Sequence, residues 1–358
     1  MELTLDQLLK TVVAHGASDL HLVVGSEPQI RLGGHMTALD LPKLERTQIQ
    51  NLCYSIITET QKKKLEETKE LDFAVDLPKI GRFRGNYYYE RHHLAAAFRI
   101  IPSEIPTIES LKLPRILGDL ITRQKGLILV TGPTGSGKTT TMAALIGEIN
   151  RTANKHILTV EDPVEFIHPH QKSLISHRSV GEDTDSFASA LKHALRQDPD
   201  VIYVGEMREI ETIRIALTAA ETGHLVLGTL HTNSAPQTIS RIVNVFPSDE
   251  QSLIRTQLSM SLLAVVAQVL IPKVGGGRKA IQEILVNNHA VANLIRDDKL
   301  HQIHSTMQLG QQQTQMQTQT QELIKAVRAH EISADDAIRY AANSDEIKKA
   351  LGMGGGVI

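Results

Sequence analysis

Apolar and polar positions change their rhythm several times along the chain. Residues Leu5–His15 carry apolar side chains three and four apart, the spacing of an amphipathic helix. Asp19–Val24 reads as a strand and Thr47–Glu67 as one helix, with the solvated charge run Lys62-Lys63-Lys64 inside its second half. Arg82–Tyr89 and Ala95–Ile100 read as two strands separated by Arg91-His92-His93. Together these predict a small α+β module over 1–101. The prolines of Ile101–Thr107 mark a domain boundary, and residues 102–113 are assigned to a linker.

A second rhythm then begins. Gly126–Thr131, His156–Val160, Val201–Gly205 and His224–Thr229 are short apolar, β-branched runs alternating with helical segments. That order predicts a parallel sheet with helices on its faces, an α/β core over 114–288. Leu262–Ile271 is apolar but too short to cross a bilayer, and reads as a buried helix. Residues 289–358 are helical and polar in pattern. Within them Gln308–Gln321 fits either a linker or a solvated helix, and Gly352–Gly356 reads as a disordered tail.

Composition narrows the function classes. A length of 358 residues suits about two domains, and 41% hydrophobic residues can build a sizeable core. A net charge of −2 and 3% aromatic residues give no sign of a nucleic-acid partner. The single cysteine, Cys53, excludes a disulfide framework and a multi-cysteine zinc site, and its surroundings read as a buried helix position. The acidic start Met1-Glu2-Leu3-Thr4-Leu5-Asp6 does not resemble a signal peptide, and no apolar run reaches ~18 residues. A cytoplasmic protein is expected, reaching a membrane only through a partner.

The chemistry is most legible at Gly132-Pro133-Thr134-Gly135-Ser136-Gly137-Lys138-Thr139, followed by Thr140. The run follows the strand Leu127–Val130 and opens a helix over Thr140–Ile149, the context of a phosphate-binding P-loop. Backbone amides and the helix N-terminus would attract phosphate there. Lys138 would neutralise phosphate charge, and the Thr139 hydroxyl would ligate Mg²⁺ accompanying ATP. Two further strands end in acid: Glu161-Asp162-Pro163-Val164-Glu165 after one, Glu206 after the other. In an open parallel sheet such ends line the ligand crevice, so Glu161, Glu165 and Glu206 are candidates for Mg²⁺ ligation and for polarising water. His224 and His231 flank a fourth strand and are candidates for sensing the γ-phosphate, with Arg208 beside Glu206.

At these residues the chain resembles the secretion-superfamily ATPases of type IV pili and type II secretion. The resemblance runs from Ala17-Ser18-Asp19-Leu20-His21-Leu22 through Arg82-Phe83-Arg84 and Phe98-Arg99-Ile100 to the P-loop. It continues through Thr159–Phe166, Asp198–Arg208 and Glu221–Thr232. It implies a RecA-like ATPase domain, a smaller PAS-like N-terminal domain and a C-terminal helical region. It also implies a homohexameric ring, cytoplasmic and peripheral at the inner membrane face, working on a pilus platform protein, with a related retraction ATPase as a further candidate partner. Arg82, Arg84, Arg91 and Arg99 become candidate phosphate contacts. Glu165 becomes the better candidate for general base, and Glu206 for the Mg²⁺ shell.

The retraction branch is the nearer resemblance. The N-terminal module is single, no four-cysteine motif follows the core, and Ala290–Asp297 is similar to that branch's motif Ala-Ile-Arg-Asn-Leu-Ile-Arg-Glu. Ala292, Asp297 and Asn244 depart from the usual residues, which keeps an accessory retraction ATPase or an extension or secretion ATPase as alternatives.

Overall fold

A computed structural model describes residues 3–101, 104–309 and 314–353. The chain forms two compact units: Met1–Ile105 with Pro163–Ile167, and Pro106–Asp162 with His168–Ile358.

The first unit begins with α1 (Leu5–Ala14), capped by Thr4 and Gln7 in a reciprocal capping box. Leu5, Leu8, Leu9 and Val12 form its buried stripe. Then come β1 (Asp19–Leu22), β2 (Gln29–Leu32), β3 (His35–Ala38), α2 (Arg46–Tyr54), α3 (Glu59–Thr68), β4 (Glu70–Leu77), β5 (Gly81–Glu90) and β6 (His93–Ile101). The strands make one antiparallel sheet in the order β3-β2-β1-β6-β5-β4. The helix expected over Thr47–Glu67 is two helices. Thr58 and Gln61 form a capping box that starts α3 afresh, so the chain breaks before it. Phe73 and Tyr87 stack edge to face at 4.8 Å in the core, and the Tyr87 hydroxyl donates to the Cys53 carbonyl at 2.9 Å. Cys53 is fully buried in α2, as its sequence context predicts, and burial pushes its thiol up to about 12.

The second unit holds α4 (Arg115–Leu120), β7 (Gly126–Thr131), α5 (Lys138–Thr152), β8 (His156–Glu161), β9 (Leu174–Ser179), α6 (Phe187–Ala194) and β10 (Val201–Val204). It continues with α7 (Ile210–Thr222), β11 (Leu225–Leu230), α8 (Ala235–Asn244), α9 (Gln251–Ser261), β12 (Leu262–Pro272), β13 (Arg278–Val286), α10 (His289–Arg296) and α11 (Ile303–Gln308). Helices Gln319–Arg328, Ala334–Tyr340 and Ser344–Ala350 follow. The seven strands order as β13-β12-β7-β11-β10-β8-β9, all neighbours parallel except β12 and β13. The four core strands expected from the sequence are present within a residue or two.

Leu262–Ile271 is β12, not a helix. It is buried between β7 and β13, so both faces are apolar and no alternation marks it as a strand. Its β-branched Val265, Val266 and Val269 suit the pleat. On β7, Leu127, Ile128, Leu129 and Val130 are all buried, each contributing roughly 1.5–3 kcal/mol. Parts of the glutamine-rich stretch and of the C-terminal tail, 310–313 and 354–358, lie outside the described residues, as do 102–103 of the linker.

Candidate active site

Register brings the strand ends together. Thr131 of β7 pairs with Leu230 of β11, Val204 of β10 with Gly228 of β11, and Val160 of β8 with Val204. The chain therefore leaves β7, β11, β10 and β8 along one edge of the sheet, carrying the phosphate loop, His231, Glu206 and Glu161. Residues 132–137 turn directly into α5, so the loop sits against that helix's N-terminus. Gly132 has φ +143, and a Cβ there would lie 2.1 Å from the Gln268 carbonyl oxygen, so only glycine fits. Lys138 Nζ donates to the carbonyls of Gly132 at 2.8 Å and Pro133 at 3.1 Å. Thr139 and Thr140 lie half-buried in the first helical turn, while Pro133, Thr134 and Gly135 are exposed at the loop's crest.

Glu206 follows β10 and meets two partners. His231 Nε2 is 2.9 Å from its Oε1, and Arg208 Nε donates to the same oxygen. Glu206 and His231 thus reach each other across adjacent strands, and Arg208 closes the group from the same loop. Glu161 ends β8 and is buried, with its Cγ beside the Gly205 backbone. Met207 N donates to the Thr229 carbonyl and the Thr229 hydroxyl donates to Gly205, which fixes these two strand ends together.

Other sequence-predicted residues lie elsewhere. His224 precedes β11 at its opposite end, its Nδ1 at 3.1 Å from the Ala219 carbonyl. Six strand residues separate it from His231, about 20 Å, so of the two histidines His231 is the one that stands beside Glu206. In the first unit Arg84 and Arg99 are cross-strand partners on β5 and β6. Arg84 lies 3.9 Å from Glu165 Oε1, and Arg82 is bound by Asp76 and by the Val164 carbonyl at 3.1 Å. Their strand is internal to the sheet, not a solvated edge. Arg99 Nε donates to Asp19 Oδ1 at 2.8 Å with its side chain 71% exposed. Burial opposes ionisation of Asp19, but the hydrogen bonds from Ser18 and Arg99 hold its carboxyl below the usual range. Arg91 sits in the β5–β6 turn at φ +48, seven residues from Arg84 and away from the other three.

Sequence reasoning missed Gln268. Its Nε2 donates to the Ser136 carbonyl at 2.6 Å from 132 residues away. The signal was one polar residue inside the run Leu262–Ile271. Also unforeseen is a cleft of ≈ 440 Å³ beside the loop, lined by Gly137, Thr140 and Thr141 with the cations Lys112, Lys273 and Arg278. Among the described residues no three His, Cys, Asp or Glu side chains form a metal cage, and no helix is long and apolar enough to cross a membrane.

The family model for type II/IV secretion system proteins matches residues 1–347. The chain belongs to that family. The chain is 49% identical over 304 residues to the type IV pilus retraction ATPase PilT of Pseudomonas aeruginosa, covering 85% of this chain and 88% of that one. It is 39% identical over 350 residues to the type IV pilus ATPase PilU of the same organism, covering 98% and 91%. A crystal structure of the pilus retraction motor PilT with bound ADP superposes with a TM-score of 0.92 at 47% identity, covering 97% of this chain and all of that one. With the loop, strand-end carboxylates and fold of a RecA-like ATPase in place, this secretion-family member is a P-loop ATPase.

Proposed function

We propose that the chain is the motor of type IV pilus retraction, using ATP hydrolysis to drive pilus disassembly and twitching motility. What carries the reading is the P-loop cluster with Glu206 and His231 in a chain 49% identical to a retraction ATPase. We further propose that it acts as a homohexamer on a platform protein at the inner membrane.

Mg²⁺ is the expected companion of ATP, and the residues fit it. A cation that keeps waters and phosphate oxygens needs only one or two protein ligands, so no cage is required. Thr139 and Glu206 would hold it, with Glu161 behind them; Ser136 Oγ, buried without a partner among the described residues, marks a polar pocket in the loop. When bound, the ion neutralises charge developing on the β- and γ-phosphates.

The chain's own groups would do the rest. Lys138 Nζ moves from the loop carbonyls to the β- and γ-phosphate oxygens. The ring nitrogen of His231 reports the γ-phosphate to Glu206. The Glu165 carboxylate takes the proton of the attacking water. Arg82, Arg84 and Arg99 balance phosphate charge, from the same or a neighbouring subunit, and Arg208 orients Glu206. The cleft at Thr140, Thr141 and Arg278 would take the nucleoside. Neither His224 nor Arg91 is needed for these steps.

Replacing Lys138 with Ala tests the assignment of the loop. Turnover should disappear and cells carrying the variant should accumulate surface pili; undiminished ATPase activity would refute it. The accessory reading rests on the PilU likeness and on Ala292 and Asp297. It predicts that deleting the gene weakens retraction instead of abolishing it.

A further inference from the structure

We propose that Gln268 is a positioning residue for the phosphate loop, and that through it the loop's backbone is tied to the C-terminal helical region. The proposal rests on the loop at Gly132–Thr139 being the nucleotide site.

Gln268 lies on β12, 4% exposed, and its amide is engaged at both ends. Nε2 donates to the Ser136 carbonyl at 2.6 Å. Oε1 accepts from Thr141 Oγ1 at 2.9 Å and from Gln282 Nε2 at 2.8 Å, filling both of its acceptor sites. These contacts orient a peptide plane. In a trans peptide the carbonyl and the following N–H point in opposite directions. Holding the Ser136 carbonyl on Gln268 therefore aims the Gly137 N–H away from β12, the direction in which loop amides can meet an anion. Thr141 brings the first turn of α5 under the same side chain, so one residue fixes both the loop and the helix terminus behind it.

The two outer glycines of the loop are shaped around this residue. A Cβ on Gly132 would strike the Gln268 backbone oxygen at 2.1 Å, and one on Gly137 would approach its Nε2 at 2.9 Å. The chain of bonds continues outward. Gln317 Nε2 donates to the Gln282 carbonyl at 2.7 Å, and Gln317 exchanges backbone hydrogen bonds with Ile284. Thr318, the next residue, caps the helix Gln319–Arg328. On the other face of β13, Glu283 accepts from Ala235 N at 2.8 Å, at the start of the helix that follows the His231 loop. The strand β13 thus touches supports of both the phosphate loop and the His231 loop.

The test uses the full-length protein and ATP. Gln268→Met keeps the volume and removes all three hydrogen bonds. It should raise the ATP KM and the ADP Kd about tenfold, the effect on the loop of leaving its Ser136 carbonyl unpaired, with kcat changed less than about twofold. Thr141→Val and Gln282→Met should raise KM in the same direction, about threefold each. Gln268→Met combined with Gln282→Met should be no worse than Gln268→Met alone, because the pair acts through one amide. A KM within about twofold of the parent in Gln268→Met, or additive effects in the double variant, would overturn the proposal. Should Gln268→Met fail to fold, unchanged KM in both Thr141→Val and Gln282→Met overturns it instead. Lys138→Ala serves as the reference. Turnover surviving in that variant sinks the reading of the loop itself, whereas a dead Lys138→Ala beside a normal Gln268→Met sinks only the positioning role.

Discussion

Glycine-to-alanine changes within the phosphate loop should separate by a contact that only one of them makes. Gly132 and Gly135 both have positive φ, +143 and +78. Each alanine should therefore cost about 1–3 kcal/mol in backbone strain. The surroundings differ. A Cβ on Gly135 meets nothing within 4 Å, while one on Gly132 would lie 2.1 Å from the Gln268 backbone oxygen and 2.7 Å from Ser136 Oγ. That oxygen belongs to a strand paired on both sides, so it cannot swing aside as a side chain would. Overpacking of this kind adds about 1–3 kcal/mol or more. At about 2–4 °C per kcal/mol, Gly135→Ala should lower the unfolding midpoint by about 2–12 °C and Gly132→Ala by roughly twice as much. Differential scanning fluorimetry without nucleotide reads the difference free of any clash with phosphate. Equal shifts for the two variants would refute the claim that the Gln268 backbone dictates glycine at 132.

Three further outcomes are expected. Glu206→Gln should lower kcat at least about 100-fold while ADP affinity holds, since the carboxylate would hold the Mg²⁺ that neutralises the γ-phosphate, which ADP lacks; comparing isothermal titration with steady-state turnover checks this. Cys53 should resist maleimide at pH 8 in the folded protein and react at once in denaturant, because its thiol is buried and pushed up to about 12. Glu283 is buried and its carboxyl is raised by desolvation, so ionising it disfavours the fold; stability is fullest below 4.5, its ordinary value, and declines as pH rises through the raised folded value. Glu283→Gln keeps an acceptor for Ala235 N, and should melt higher than the parent at neutral pH and equal to it in acid.

The phosphate loop was legible because all its chemistry is contiguous: glycines, Lys138 and Thr139 stand together between a strand and a helix. Glu206 was legible for a similar reason, as the acid that ends an apolar run. His224 and His231 looked equivalent because a strand flanked by two histidines does not reveal which end faces the ligand; the parallel register with β7 decides it. The misreading of β12 had a further cost. A buried central strand loses its alternation, and reading it as a helix hid Gln268, whose side chain meets the loop. The short strands β2 and β3 escaped notice because both are only four residues long and β3 is wholly exposed. The break between α2 and α3 could have been found from Thr58 and Gln61, a capping pair inside an otherwise continuous helical pattern.

The five residues Pro163–Ile167 sit in the middle of the catalytic half of the sequence yet pack with the N-terminal unit. The polypeptide therefore passes between the units three times, and no single cut yields either one whole. A fragment ending at residue 105 would lack the Val164 carbonyl that Arg82 uses and the Glu165 that Arg84 faces. Val164 and Phe166, both buried in the intact chain, would have lost their cover in a core expressed alone. Recombination that moved residues 1–105 alone would leave Arg82 and Arg84 without these partners.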